Sequence, residues 1–181
     1  MTPASTRLAP SELVIVAGLA AGAIFGMAGT MVAEVSVRQI FWGIDGVGLV
    51  VATTLLAIRA LRAGHDMMAA GFLVFAFGET VLVSGNPAGL AAAVPSFGGG
   101  VALWAAGLLL VSGPAVLPGW VRAAGVVAAV LFTVVAVRIH LGEALMATAS
   151  PLPAFAYPPL VLTFVGWIVT LVQRREPAGP R

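Results

Sequence analysis

Long apolar segments recur along this chain and decide what it can fold into. Six of them approach or exceed the roughly 20 residues with which an α-helix crosses the hydrocarbon core of a bilayer. Backbone polar groups inside a bilayer must be satisfied within the segment, which favours helices. The sequence therefore predicts an all-α, polytopic membrane protein, a single integral domain over residues 1–181 folded as a six-helix transmembrane bundle. The predicted spans are 13–33, 40–58, 67–85, 90–112, 120–142 and 155–172, with exposed tails at 1–11 and 173–181.

Composition removes several classes of function. Only 9% of the residues are charged, against about 25% in ordinary soluble domains. The chain has no cysteine, which excludes thiolate metal sites and iron–sulfur clusters, and it has no lysine, which excludes a retinal Schiff base. The two histidines, His65 and His140, fall at opposite membrane faces and do not suit a haem held by two histidines. We expect no cofactor, no metal and, without a basic run, no nucleic-acid partner.

The arginines predict the orientation. Positive residues collect in the cytoplasmic loops of membrane proteins. Six spans put both termini on the same side, and that side collects seven of the nine arginines. They are Arg7, Arg59, Arg62, Arg122, Arg174, Arg175 and Arg181, against Arg38 and Arg138 on the other side. The sequence therefore predicts a bacterial inner-membrane protein with both termini in the cytoplasm.

The first span contains a run of regularly spaced glycines, Gly18, Gly22 and Gly26. Small residues one turn apart let helix backbones approach closely in lipid. We interpret this run as a helix-packing face. Its partner is another span of the chain, a second membrane protein or a second copy of the chain, in addition to the lipid bilayer that surrounds the bundle.

Three charged residues lie within predicted spans, at similar heights below the outer membrane surface. They are Asp45 in the second span, Glu79 in the third and Arg138 in the fifth. A lone charge in a bilayer costs far more than a pair, so we expect Arg138 to pair with Glu79, Asp45 or both. Two acids against one base leave one negative charge that a proton, a cation or a ligand must balance. The alternative is a structural clamp with no further role.

A second group of polar residues is predicted at the outer mouth of the bundle. Glu34, Arg38 and Asn86 lie near the ends of spans, and His140 and Glu143 are three residues apart on one helix face. Glu143 is therefore expected to orient or protonate His140. The alternative is an interfacial set of ion pairs that performs no chemistry.

Two features of the second half remain open in the sequence. Two prolines and Gly98 to Gly100 interrupt the pattern, so residues 86–97 are either a re-entrant segment or the start of a kinked fourth helix. We prefer the kinked helix because non-helical backbone at membrane depth must be sheltered by protein or water. A tandem repeat is also indicated, because Glu79 and Glu143 are each followed by two prolines and a tryptophan, at 8, 16 and 25 and at 8, 15 and 24 residues. Spans three–four and five–six would then be copies of one helix hairpin.

The favoured function is binding or transport of a proton, a cation or a small amphiphilic solute at the buried acid and arginine residues. The first alternative is a non-catalytic accessory or assembly subunit of a membrane complex. The second is an outer-facing membrane enzyme that uses His140 with Glu143 or Glu79 on a lipid-like substrate. No nucleophile, phosphate-binding or zinc motif appears, so we expect a protein that is not an enzyme, and no catalytic residue is assigned.

Overall fold

The computed structural model describes residues 8–173, and every regular element in that part of the chain is helical. Six helices are long and apolar enough to cross a membrane, which confirms the predicted fold class. A π-helical stretch, Gly22–Gly26, interrupts the first of them. The six are α1 (Pro10–Met31), α2 (Val35–Arg62), α3 (Asp66–Ala88), α4 (Val94–Ser112), α5 (Gly119–His140) and α6 (Ala154–Gln173).

Successive helices pack against each other, and α6 returns to contact α1, so the six form a closed bundle. The loops at 32–34, 89–93 and 141–153 lie at one end of the bundle, which we call the Asn86 end. The loops at 63–65 and 113–118 lie at the opposite end, which we call the His65 end. Both ends of the described chain are at the His65 end because the number of helices is even.

The interior is apolar and aromatic. Phe75 of α3 stacks on Trp104 of α4 with ring centroids 5.3 Å apart and an interplanar angle of 4°. Phe75 also makes edge-to-face contacts with Phe164 and Trp167 of α6, with ring centroids 5.8 and 6.1 Å apart. Such pairs add about 0.5–1.5 kcal/mol each beyond area burial. This layer fixes α3, α4 and α6 relative to one another.

The outer surface is apolar as well. On α5, four valines at helical spacing are between 41% and 55% exposed: Val127, Val130, Val134 and Val137. A water-soluble domain would cover such a stripe or replace it with polar residues. We therefore expect these exposed valines to contact lipid tails.

Glycines set the closest helix contacts. On α1, Gly18 faces the backbone of Gly48, and Gly22 faces Leu49. The glycine run of the first span thus packs against α2 of the same chain. Between α3 and α4, a methyl group on Gly71 would lie 2.8 Å from the carbonyl oxygen of Gly107.

Several helix boundaries differ from the approximate predicted ones. The fourth helix begins at Val94 rather than residue 90, and residues 86–93 form a short 3-10 turn followed by further turns. Gly98 to Gly100 do not break the helix but lie inside α4, where a larger side chain on Gly100 would meet α3. The fifth helix ends at His140, two residues earlier than predicted.

The tandem repeat stays a prediction. Glu79 lies within α3 and is buried, whereas Glu143 follows the end of α5 and is exposed. The two glutamates therefore do not occupy equivalent positions. Both tryptophans of the pattern, Trp104 and Trp167, do contact Phe75 in the interior.

Candidate functional site

Two carboxylates line one cavity inside the bundle. Asp45 of α2 is 7% exposed and Glu79 of α3 is 2% exposed. The cavity measures about 60 Å³ and is bounded by α1, α2, α3, α4 and α6 together with Ala147. A cavity needs about 10–15 Å³ to hold one water, so this one accommodates a hydrated proton, a small inorganic cation or an ammonium group.

Neither carboxylate has a basic partner within the described residues. Asp45 Oδ1 and Glu79 Oε2 are buried without a hydrogen bond, and neither residue takes part in an ion pair there. The Trp104 indole nitrogen, on the wall of the same cavity, also lacks a hydrogen-bond partner. Two negative charges in one cavity would repel each other. Burial of such a pair costs several kcal/mol unless a proton or a cation balances it.

The π-helical stretch of α1 forms the wall opposite Asp45. A methyl group on Gly26 would lie 2.8 Å from Asp45 Oδ2, so glycine is needed for this close approach. The Gly26 carbonyl oxygen accepts a hydrogen bond from the Trp42 indole N–H at 3.4 Å. Irregular turns of this kind free backbone groups from the helical pattern and are frequent at functional sites.

Aromatic side chains form a further part of the cavity wall. Trp42, Phe97, Trp104, Tyr157 and Phe164 all line the cavity. The Tyr157 hydroxyl donates to the Ala147 carbonyl oxygen at 2.8 Å, and Tyr157 lines the same cavity as both acids. Ring faces attract cations. Two acidic groups in a cavity lined by aromatic side chains suit the binding of a positive charge.

Sequence reasoning missed the aromatic members of this site. Trp42 lies three residues before Asp45, on the same helix face, so helical spacing could have identified it. Tyr157 is distant in the sequence from both acids. No local pattern connects it with them.

The predicted pairing of Arg138 with Asp45 or Glu79 is wrong. Arg138 pairs instead with Glu143, with Nη2 to Oε2 at 2.6 Å and Nε to Oε1 at 2.9 Å. Both side chains are 40% or more exposed. The helix ends at His140, which places Arg138 in its last turn, and the following loop carries Glu143 back to the guanidinium. This guanidinium lowers the pKa of the Glu143 carboxyl.

The predicted His140–Glu143 pair does not form. His140 Nδ1 lies 2.7 Å from the Ala136 carbonyl oxygen, one turn back on α5. Glu143 is occupied by Arg138 and lies beyond the end of the helix, so the two residues no longer share a helix face. This arrangement contains no acid–base dyad.

The residues predicted at the mouth take separate positions at the Asn86 end. Glu34 caps α2 by accepting bonds from the Ser36 and Val37 amides, which lowers the pKa of its carboxyl. Arg38 donates to the Val32 carbonyl oxygen from Nε and Nη2, at 3.1 and 2.6 Å. Arg38 and Glu34 are not within ion-pair distance. Asn86 lines the acid cavity.

A second cavity of about 170 Å³ adjoins the first at the Asn86 end. Arg38, Gln39, Asn86 and Ser96 provide its polar side chains. It shares five lining residues with the acid cavity: Trp42, Leu82, Asn86, Phe97 and Ala147. We call this second cavity the vestibule.

Sequence reasoning also missed an ion pair at the His65 end. Glu12 of α1 is 2% exposed, and its Oε1 accepts from Arg59 Nη1 of α2 at 2.8 Å. Its Oε2 accepts from the Ala9 amide. The pair joins the start of α1 to the end of α2, in addition to the glycine contacts.

Comparison with protein-family models, with curated proteins and with solved structures found no match to this chain. Within residues 8–173, no three His, Asp or Glu side chains gather where they could hold a metal ion. The site is therefore interpreted from its own chemistry, that of two carboxylates in an aromatic cavity.

Proposed function

We propose that this protein is an integral membrane protein that binds a proton or a small cation at the Asp45–Glu79 pair. The observation that carries the proposal is the burial of both acids in one cavity without a basic partner in the described chain. A bound positive charge offsets the cost of that burial. The aromatic wall adds an attractive surface for the same charge.

The location of the site supports exchange with one side of the membrane. The acid cavity adjoins the vestibule, which lies at the Asn86 end. We place this end outside the cell because Arg59, Arg62 and Arg122 lie at the opposite end, in line with the positive-inside rule. Uptake from outside and transport inward are the roles that this placement favours.

Two observations weigh against the other two functions. The enzyme would use His140 with Glu143 or Glu79, but Glu143 is paired with Arg138, and His140 is not among the residues that line the cavity of Glu79. The accessory subunit depended on a free glycine face, and Gly18 and Gly22 are covered by α2. Cation or proton binding is therefore the function that fits the site best.

The proposal is tested by ligand-dependent stability of the purified protein in detergent. Sodium, potassium and methylammonium chloride are titrated against N-methylglucamine chloride at constant ionic strength, and pH is varied in a parallel series. We expect at least one of these cations, or the proton, to raise the melting temperature with saturation, since a ligand at 100 Kd stabilises by about 2.7 kcal/mol.

Variants show whether the rise in melting temperature depends on the acid pair. Asp45→Asn and Glu79→Gln should each abolish the ligand-dependent rise in melting temperature. The matched control is Glu143→Gln, which removes an exposed acid at the same end of the bundle. This variant should keep the ligand-dependent rise in melting temperature. A wild-type melting temperature that responds to no cation and no pH change, or the same response in all three variants, contradicts the proposal.

A further inference from the structure

One face of α2 carries a basic, an aromatic and an acidic side chain in order. Arg38, Trp42 and Asp45 are four and three residues apart, so they lie on one stripe of the helix. Seven residues of α-helix separate Arg38 from Asp45 by about 10 Å along the axis. Opposite charges therefore stand at the two ends of one short stripe.

The two charged ends face adjoining cavities. Arg38 lines the vestibule, Asp45 lines the acid cavity, and Trp42 lines both. Leu82, Phe97 and Ala147 make most of the remaining shared wall apolar, and Asn86 adds one polar side chain to it. A ligand that extends from one cavity into the other would meet a polar group at each end and mostly apolar surface between them.

The Arg38 guanidinium retains unused donors. Its Nε and Nη2 bond to the Val32 carbonyl oxygen, and Nη2 also reaches the Ala33 carbonyl at 3.3 Å, whereas Nη1 takes part in none of these bonds. No carboxylate of the described chain lies within ion-pair distance of it. The guanidinium also lies over the Trp42 ring, 5.9 Å from the centroid, which fixes its position. An arginine held in this way is suited to an incoming carboxylate.

We infer that the ligand is a short amino carboxylate, whose ammonium group binds between Asp45 and Glu79 and whose carboxylate binds Arg38 in the vestibule. This inference rests on the proposed function and narrows its cation to one chemical class. A carboxylate fits better than a phosphate because one guanidinium balances one negative charge. Asn86, which lines both cavities, offers an amide for a further hydrogen bond.

The test compares ligands that differ only in the anionic group. Binding of γ-aminobutyrate and ε-aminocaproate is measured by calorimetry against butylamine and hexylamine, and hexanoate serves as the anion without an amine. In the wild type, we expect the better-fitting amino carboxylate to bind at least tenfold more tightly than the amine of equal length. Hexanoate should not bind measurably.

Variants test which residues bind the carboxylate and the ammonium group of the ligand. Arg38→Gln should lower the affinity for the amino carboxylate about tenfold and leave that for the amine unchanged. Retained amine binding also shows that this variant is folded. The matched control is Arg62→Gln, an exposed arginine in the last turn of the same helix, which should change neither affinity. Asp45→Asn should abolish binding of both ligand types.

The outcomes separate this inference from the proposed function. If cations or amines stabilise the protein but the amino carboxylates bind no more tightly, the inference is wrong and the cation site stands. Equal losses of both ligand types in Arg38→Gln likewise contradict it. If no cation, amine or amino carboxylate binds, both the inference and the proposed function are overturned.

Discussion

Gly26 determines how closely α1 approaches the acid pair. Its α-carbon has no room for a methyl group, because such a group would lie 2.8 Å from Asp45 Oδ2. The same residue supplies the carbonyl that accepts the Trp42 indole N–H. The position of one acid and of one aromatic wall residue therefore depends on a glycine at this point.

Gly26→Ala should weaken ligand-dependent stabilisation at least tenfold in apparent affinity, because the added methyl group displaces the Asp45 carboxylate. The measurement is the melting temperature over the cation, pH or amine series that stabilises the wild type. Gly43→Ala is the control, because a methyl group at Gly43 meets nothing within 4 Å. It should keep the affinity and gain up to about 1 kcal/mol from helix propensity. Equal affinity in the two variants would contradict the role of Gly26.

Some residues of the candidate site could be identified from the sequence, and others could not. Asp45 and Glu79 could be selected from the sequence because a carboxylate in an apolar span is conspicuous, and the structure places both in one cavity. The partner of Arg138 could not be selected, because hydropathy does not reveal that the helix ends at His140. The path of the loop that returns Glu143 to Arg138 is a tertiary property.

At the scale of elements, α3 and α4 share the most extensive contact of any two helices in the described chain. Gly71 faces Gly107, and Gly78 faces Gly100. In each pair, a methyl group added to either glycine would lie 2.7–2.9 Å from the carbonyl oxygen of the other. The glycines are seven residues apart on both helices, so two turns repeat the same contact. Glu79 follows Gly78 directly. The backbone that carries this acid is therefore held firmly against α4.

Gly78→Ala should destabilise the protein, because the two helices must separate to admit the methyl group. Overpacking costs about 1–3 kcal/mol, and better helix propensity returns up to about 1 kcal/mol. The measurement is reversible unfolding or the melting temperature in detergent. Gly99→Ala on the facing helix is the control, because its methyl group would find ordinary contact with Val81 at 3.8 Å. A Gly78→Ala variant at least as stable as the control would refute this account of the pair.

The same glycines explain why helix boundaries were harder to predict than helix number. Gly98 to Gly100 resemble a break when the sequence is considered alone, because glycine weakens an isolated helix. Packing against α3 reverses that preference, since only glycine permits the contact at Gly100. Long apolar runs, in contrast, predict the presence of a helix without any knowledge of its neighbours.

At the scale of the whole molecule, the arginines of residues 8–173 are divided unequally between the two ends of the bundle. Arg59, Arg62 and Arg122 lie at the His65 end, and Arg38 and Arg138 lie at the Asn86 end. One arginine at each end is paired with a glutamate, Arg59 with Glu12 and Arg138 with Glu143. From the positive-inside rule, the proposed orientation has the His65 end in the cytoplasm and the vestibule outside.

Single cysteines test this orientation directly, because the native chain contains none. Ala144→Cys at the Asn86 end and Ala63→Cys at the His65 end are both at exposed positions. In intact cells, a membrane-impermeant maleimide should label Ala144→Cys strongly and Ala63→Cys at background level. Lysed cells provide the control in which both label. Labelling of Ala63→Cys alone in intact cells would reverse the assignment.

The helices that surround the acid cavity differ in how tightly they are packed into the bundle. The α3–α4 pair is tightly joined, whereas α1 is the least buried of the six helices and contains the π-helical turns Gly22–Gly26. Sharp bends in helices concentrate at π-helical turns of this kind. If an occupant displaces the cavity wall, we therefore expect the second half of α1, which contributes Met27 and Thr30, to move before the α3 backbone that carries Glu79.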